Sequence, residues 1–425
     1  MSYPSNTVHY LLMVAIATIV LCTITAFHWN VTGSTYVYNY APAKKIDHQG
    51  EKFLAYLPHS GLSNQRNELE NALLLASYLN RTLIVPPAFL GHIGGWQSND
   101  HLFEYMDIMT RPRPWWNRCK DKLALADGPC HSKSRYATVP WEYLHSSIGE
   151  LGIPMRSIRH VSLDKLKAML TLSDDEIHIQ HDTSLYTWFL CDIPHEECPT
   201  LDPTVFETGR RRTYDEQWNI EDLRAIEKPL IHLQGVFGTD RVGVHQKQHL
   251  ELRNKIREAL AYRNPTLEEV TDKIIEQLGG KHQFLSIHVR MGNRQFLKPL
   301  HKHIEEQIEF LEKAQRGPGN STSCGDFQIY VATDAHDPRK SPELAPVFER
   351  FPCAKVLGDY KDLLPSLESD TGVTLFQPPQ QSIVDFLIPV IDAMVAGHAK
   401  DFMGNPSSTY STYIEQLQSV YKLSS

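Results

Sequence analysis

The stretch LPHSGLSNQRNELENALLLA, residues 57–76, closes a short apolar run that begins at Phe53, passes through a polar loop holding Gly61, and resumes with apolar residues at 69, 72, 73 and 76. That spacing predicts a helix running to about Tyr78. TLIVPP, residues 82–87, follows as a second apolar run, so the whole reads as a strand-helix-strand unit. In such a unit the loop after the first strand lies at the carboxyl edge of a parallel sheet, where ligands bind. A helix start offers unpaired N–H groups and a positive dipole end, and glycine lets a ligand approach the backbone. The loop is therefore expected to face an anion.

A second α/β segment begins near residue 245. Helices are expected around 248–262 and 266–278, then FLSIHVR as a buried strand, a helix near 301–315, and FQIYVATD as another buried strand ending in an acid. The last segment, from Ile383, reads as helix, short strand DFMG, polar turn and helix. Residues 90–200, rich in Trp, His, Pro and Cys with weak periodicity, suggest irregular loops; Trp115-Trp116 fits either a groove wall or a packed loop core.

At 425 residues the chain exceeds one ordinary core, which points to two domains, 51–244 and 245–425. Hydrophobic content of 41% and charged content of 22% are those of a globular protein. A formal charge of −8 argues against nucleic acid as a partner, and the basic run Arg210–Arg212 reads as a solvated loop rather than a patch.

After a short tail at 1–9, residues 10–27, YLLMVAIATIVLCTITAF, carry no charge and have the length of a transmembrane helix. They are read as a signal anchor, followed by a stem over 28–50. A cleaved signal peptide is the rival, without a basic n-region or a clean cleavage site to support it. Sequons at Asn30, Asn80 and Asn320 favour a body in the lumen of the Golgi or endoplasmic reticulum, hence a single-pass type II membrane protein. Six cysteines lie beyond the apolar run; Cys119/Cys130 and Cys191/Cys198 are close pairs, spaced for local disulfides rather than C-x2-C zinc knuckles, with connectivity open.

Three further places carry candidate chemistry. His288 and Arg290, two apart on one strand, share a side, and a strand-end guanidinium matches phosphate or makes a structural ion pair. Gly404–Tyr410, GNPSSTY, joins a strand to a helix and offers either a second anion cradle or plain N-capping by Ser408. Glu68 and Glu70 have metal-site spacing, but on a helix they lie about 200° apart, so no metal site is expected. GxxxxGK[ST], GxGxxG and GxSxG motifs are absent from the sequence.

HSGLSNQRNELENALLLASYLNRTLIVPP, IHVRMGN and DAMVAGHAKDFMGNPSSTYSTYI, with IYVATD between the last two, together resemble the GDP-fucose protein O-fucosyltransferase superfamily, fungal-type members especially. The resemblance implies a GT-B-like α/β fold, two Rossmann-like domains facing across a cleft. It implies an inverting, metal-independent transfer with no cofactor, from GDP-fucose or a similar nucleotide sugar to a protein or glycan hydroxyl. It implies that Arg290 grips the β-phosphate, that His288 contacts the nucleoside, and that Asp392 holds the guanosine. Ser408, Thr409 and Tyr410 would meet the phosphates and base, and Asn64 with Gly61 the sugar-phosphate. Related enzymes differ in whether a carboxylate near the first glycine serves as base; here that slot reads Pro58-His59-Ser60, so His59 is the candidate general base, with Glu68 and Glu70 weaker ones, against a loop histidine that only bonds the backbone. Many members carry an acid three residues after the arginine; here Asn293 stands there, followed by Arg294, which leaves open a silent binding protein or a different donor sugar.

Overall fold

The computed structural model describes residues 50–91, 93–98, 100–110, 136–194, 196–198, 214–238, 241–292, 294–315, 326–369 and 382–423. The apolar run at 10–27, nearly all of the stem, the sequons at Asn30 and Asn320, Trp115-Trp116, Arg210–Arg212, Cys119, Cys130, Cys324 and Asn293 lie outside them. Among the described residues no helix is long and apolar enough to cross a membrane.

The opening stretch folds as a strand, β1 (Phe53–Tyr56), and a helix, α1 (Leu62–Leu79), which returns the chain to β2 (Thr82–Val85). The helix starts earlier than its apolar residues suggest, directly after Gly61, and ends at Asn80 in the left-handed conformation, φ 49°. All four residues of β1 and of β2 are buried, as strands covered on both faces require. Further along come β3 (Met155–Ser157), β4 (Ile177–Gln180) and β5 (Leu230–Leu233). These make one sheet in the order β3-β2-β1-β5-β4. Every pairing in it is parallel, with Phe53 level with Thr82 on one side and Leu230 on the other.

Helices α2 (Lys247–Ala259) and α3 (Pro265–Gln277) follow, the latter capped by Asn264 with proline in its first turn. Then β6 (Phe284–Val289), α4 (Leu300–Gln315), β7 (Gln328–Thr333), α5 (Ile383–Gly397), β8 (Asp401–Met403) and α6 (Thr409–Leu423) complete the chain. The second sheet is also parallel, in the order β7-β6-β8. Protein and expectation agree here to within a few residues at each end.

Residues 90–200 differ from the irregular loops expected of them. They hold β3 and β4, a helix at Asp100–Thr110, and strands at Tyr136–Val139 and Trp188–Cys191. Strands of three or four residues are too short to show a period in sequence, which is why they escape notice. Cys191 and Cys198 are joined in a disulfide, Cα–Cα 6.3 Å, and Cys353 is also disulfide-bonded.

One apolar cluster packs α1 on the first sheet and continues through Tyr262, Met394, Tyr413 and Leu417. A second cluster, with Leu285, Ile287, Val289, Leu300 and Ile304, forms between β6 and α4.

Candidate functional site

In a parallel sheet, successive connections diverge at a switch point, leaving a crevice at the carboxyl ends of the strands. In the first sheet the switch falls between β1 and β5, so the loops at 57–61 and 234–238 flank it. In the second it falls between β6 and β8, flanked by residues 290–292 and 404–408. Most residues singled out in sequence sit on these loops or in the helix turns that follow.

The first loop is tightly held. Gln65 Nε2 donates to the carbonyls of Ser60 at 2.9 Å and Phe89 at 3.1 Å, while its Oε1 accepts from Phe89 N–H at 2.9 Å. The unusual backbone belongs to Ser60, φ 64°, and not to Gly61, which is extended at φ −68°, ψ 162°. A Cβ on Gly61 would meet no heavy atom within 4 Å. Glycine there keeps open space in front of the helix start rather than permitting a turn.

His59 is 1% exposed, so it is no solvated loop histidine. Its N–H donates to Glu68 Oε2 at 3.2 Å, its Nε2 lies 2.9 Å from Glu68 Oε1, and its Nδ1 lies 2.9 Å from Ser60 Oγ. Phe237, from the loop after β5, covers the ring at 5.0 Å between centroids. Burial pushes the Glu68 carboxyl up, and the His59 ring pulls it down. Glu70, on another face of α1, instead accepts from Arg66 at 3.2 Å and Arg257 at 2.8 Å, as their angular separation requires.

On the second sheet, Arg290 N–H donates to Asn405 Oδ1 at 2.5 Å, tying the two switch-point loops together. Its guanidinium pairs with Asp334 at 2.7 Å yet stays 32% exposed. Asp334, the acid that ends FQIYVATD, also accepts the N–H groups of Met291 at 2.6 Å and Gly292 at 2.9 Å. A Cβ on Gly292 would fall 2.5 Å from the Asp334 carboxylate, so any larger residue there must displace that carboxylate from the turn. Arg290 thus takes its acid from the neighbouring strand.

His288 is buried, and its Nδ1 lies 2.7 Å from Ser411 Oγ. Burial, with the Arg290 charge nearby, lowers its pKa to about 3, so the ring is neutral. Tyr410 packs on it at 4.8 Å and donates its hydroxyl to the Pro389 carbonyl at 2.6 Å. Ser408 is the N-cap of α6, its Oγ receiving Ser411 N–H across a long 3.4 Å. Asp392, 6% exposed on α5, accepts from the Tyr330 hydroxyl at 2.5 Å. Burial raises its pKa to about 7 against the pull of Tyr330 and the Thr333 amide.

The two sets meet. Thr409 Oγ1 donates to Asn64 Oδ1 at 2.7 Å, so the first turns of α1 and α6 touch across 345 residues of sequence. Deeper along the same helices, the Arg66 guanidinium lies 4.4 Å over the Tyr413 ring. Asn64, expected to reach toward a sugar-phosphate, has the opposing helix start as its partner.

Sequence reasoning passed over Ser60, Asn405 and Ser411. Ser411 Oγ also accepts Asn405 N–H at 2.9 Å, and a Cβ on Gly404 would fall 2.4 Å from Ser411 Cβ. The strand-Gly-Asn signal was present in GNPSSTY; the serine one helical turn later was not distinguishable from a solvated one. Among the described residues no cluster of three or more His, Cys, Asp or Glu is arranged to hold a metal ion.

An α/β protein with parallel sheets, in which the switch-point loops of two sheets converge on touching helix starts, is what the fold and site define. No family model matches the chain. It is similar to O-fucosyltransferase 30 of Arabidopsis thaliana, 63% identical over 43 residues. That match covers 10% of this chain and 8% of the relative, well short of the relative's length. Among solved structures it is similar to POFUT1 in complex with GDP-fucose, at 12% identity and TM-score 0.41, over 87% of this chain and 94% of that one. It is also similar to the fucosyltransferase NodZ from Bradyrhizobium, at 12% identity and TM-score 0.40, over 86% and 92%. The chain is thus O-fucosyltransferase-like in a short, well-matched segment.

Proposed function

We propose that the chain is a GT-B-like inverting glycosyltransferase, with 51–244 as the acceptor-side domain and 245–425 as the nucleotide-sugar domain. It transfers fucose from GDP-fucose to a protein or glycan hydroxyl without a metal or cofactor. In this reading residues 10–27 anchor it in a Golgi or endoplasmic reticulum membrane. The observation that carries the proposal is the Asn64–Thr409 bond, which sets two helix starts side by side at the strand ends, with Arg290 on the adjoining loop.

Departure of a diphosphate builds negative charge that fixed donors can stabilise. Arg290, Ser408, Thr409 and the first N–H groups of α6 are the donors for it, with Gly61 and Asn64 on the sugar side. Neutral His288 and Tyr410 flank the nucleoside, and Asp392 faces the guanine N–H groups. His59, buried behind the loop surface, is the base toward which the acceptor proton is drawn. Thermal shift with a panel of GDP-sugars tests this, since a ligand of the folded state raises the melting temperature. GDP-fucose and GDP should stabilise the chain; no shift with any nucleotide sugar would defeat the proposal.

The Arg290–Asp334 pair favours a second reading, in which the cleft binds a nucleotide sugar without using it, because part of the cationic charge is already neutralised. Calorimetry showing GDP-fucose binding with neither hydrolysis nor transfer would select it.

A further inference from the structure

The groups around His59 form a linear chain. Ser60 Oγ lies 2.9 Å from His59 Nδ1, and His59 Nε2 lies 2.9 Å from Glu68 Oε1. The second Glu68 oxygen is fixed by the His59 N–H at 3.2 Å. Of the three, His59 and Glu68 are buried at 1% and 0% exposure, whereas Ser60 is half-buried beside the open space at Gly61. A general base whose ring nitrogens both face protein cannot touch an acceptor; its hydroxyl neighbour can.

Ser60 is also held in a backbone conformation that L residues avoid, φ 64°, pinned through its carbonyl by Gln65. Such strain, of the order of 1 kcal/mol or more, persists only when the surroundings over-determine it. The Ser60 Oγ turns to His59 Nδ1, while the residue stays partly exposed at the turn between a buried strand and a helix start.

We propose that Ser60, His59 and Glu68 are a proton relay, Ser60 being the group that touches the acceptor; this rests on the transferase reading and deepens it. His59 Nε2 and Glu68 Oε1 approach to 2.9 Å without the alignment of a hydrogen bond, so the carboxylate acts on the ring by charge, and with the proton on Nε2 the Nδ1 lone pair receives the Ser60 hydroxyl. In the transfer, the acceptor oxygen bonds to the sugar carbon as the carbon–oxygen bond to the diphosphate breaks, its electron pair leaving with GDP. The acceptor proton passes to Ser60 Oγ while the Ser60 proton passes to His59 Nδ1. The imidazolium that results sits against Glu68 until it returns its proton to water.

The groups facing this relay are Tyr56 on β1, Asp182 after β4, Phe237 after β5, and Arg241. Asp182 is fully buried, and burial raises its pKa to about 6. It contributes an acidic surround to an imidazolium, and Arg241, held by the carbonyls of Phe237, Trp188 and Leu185, opposes it.

Two measurements on the full chain test the relay. GDP-fucose with water as acceptor is followed by GDP release across pH, for wild type, Ser60→Gly, His59→Gln and Glu68→Gln. Glycine suits φ 64°, so Ser60→Gly preserves the fold. It should lower kcat roughly 100-fold, the usual scale of general-base assistance, with KM unchanged and the acidic limb of the pH profile lost. Independently, a fluorophosphonate should label Ser60 in wild type but not in His59→Gln or Glu68→Gln, as Oγ displaces fluoride from phosphorus and its proton passes to His59. Turnover with wild-type kcat in Ser60→Gly and no label on Ser60 overturns the relay and leaves the transferase. A labelled Ser60 with no turnover of any GDP-sugar overturns the transferase and leaves an activated serine.

Discussion

In the proposed transfer, Arg290 is the residue on which charge stabilisation turns. Arg290→Ala should lose at least about two orders of magnitude in GDP-fucose turnover, the scale on which single preorganised donors act. It also strips Asp334 of its cation, so Arg290→Lys, which keeps the charge but not the fork, should recover only part; steady-state kinetics on both variants checks this. Asp392 carries a pH dependence of defined sign. Its pKa rises from 3.8 to about 7 on folding, so the folded chain holds a proton that the unfolded chain has released. The stability this confers is full below about pH 4 and is lost as pH rises toward 7. Binding runs the other way: GDP affinity by calorimetry should strengthen between pH 6 and pH 8 as the carboxylate forms, and Asp392→Asn should flatten that rise. The placement of Arg290 and of the Ser408 turn at strand ends was legible in sequence, because a motif joins each to backbone geometry. Glu68 could be read only as a weaker candidate base beside His59, and Ser60 not at all, because the contacts among the three side chains exist only in the folded loop.

At the scale of elements, two glycines that look alike in sequence separate cleanly. Gly404→Ala places a methyl group 2.4 Å from Ser411 Cβ, at the turn that positions Asn405 and starts α6. It should lower the melting temperature and abolish the GDP-induced shift together. Gly61→Ala meets nothing and keeps an ordinary φ, so its melting temperature should match wild type while turnover falls. Differential scanning calorimetry with and without GDP distinguishes the two. Long elements with unbroken apolar character or clear caps, β6 and α3 among them, could be read in sequence to within a few residues. The strands at Met155–Ser157 and Ile177–Gln180 could not, since their partners on β2 and β5 assign them rather than their own composition.

For the molecule as a whole, Arg66 matters more than its place in a helix suggests. It is 1% exposed, bonded to Glu70 at 3.2 Å and stacked on Tyr413 at 4.4 Å, joining α1 to α6 behind the site. Arg66→Ala should cost on the order of 3–5 kcal/mol, the cost of opening a buried ion pair, read from urea denaturation. The Asn64–Thr409 bond spans 345 residues, so the two helix starts it joins are made far apart in time. While a ribosome is still making the chain, everything through α5 can form and yet the cleft lacks one wall. A chain cut before Thr409 lacks the helix start that Asn64 meets, so it should fold through α5 and yet show no thermal shift with GDP.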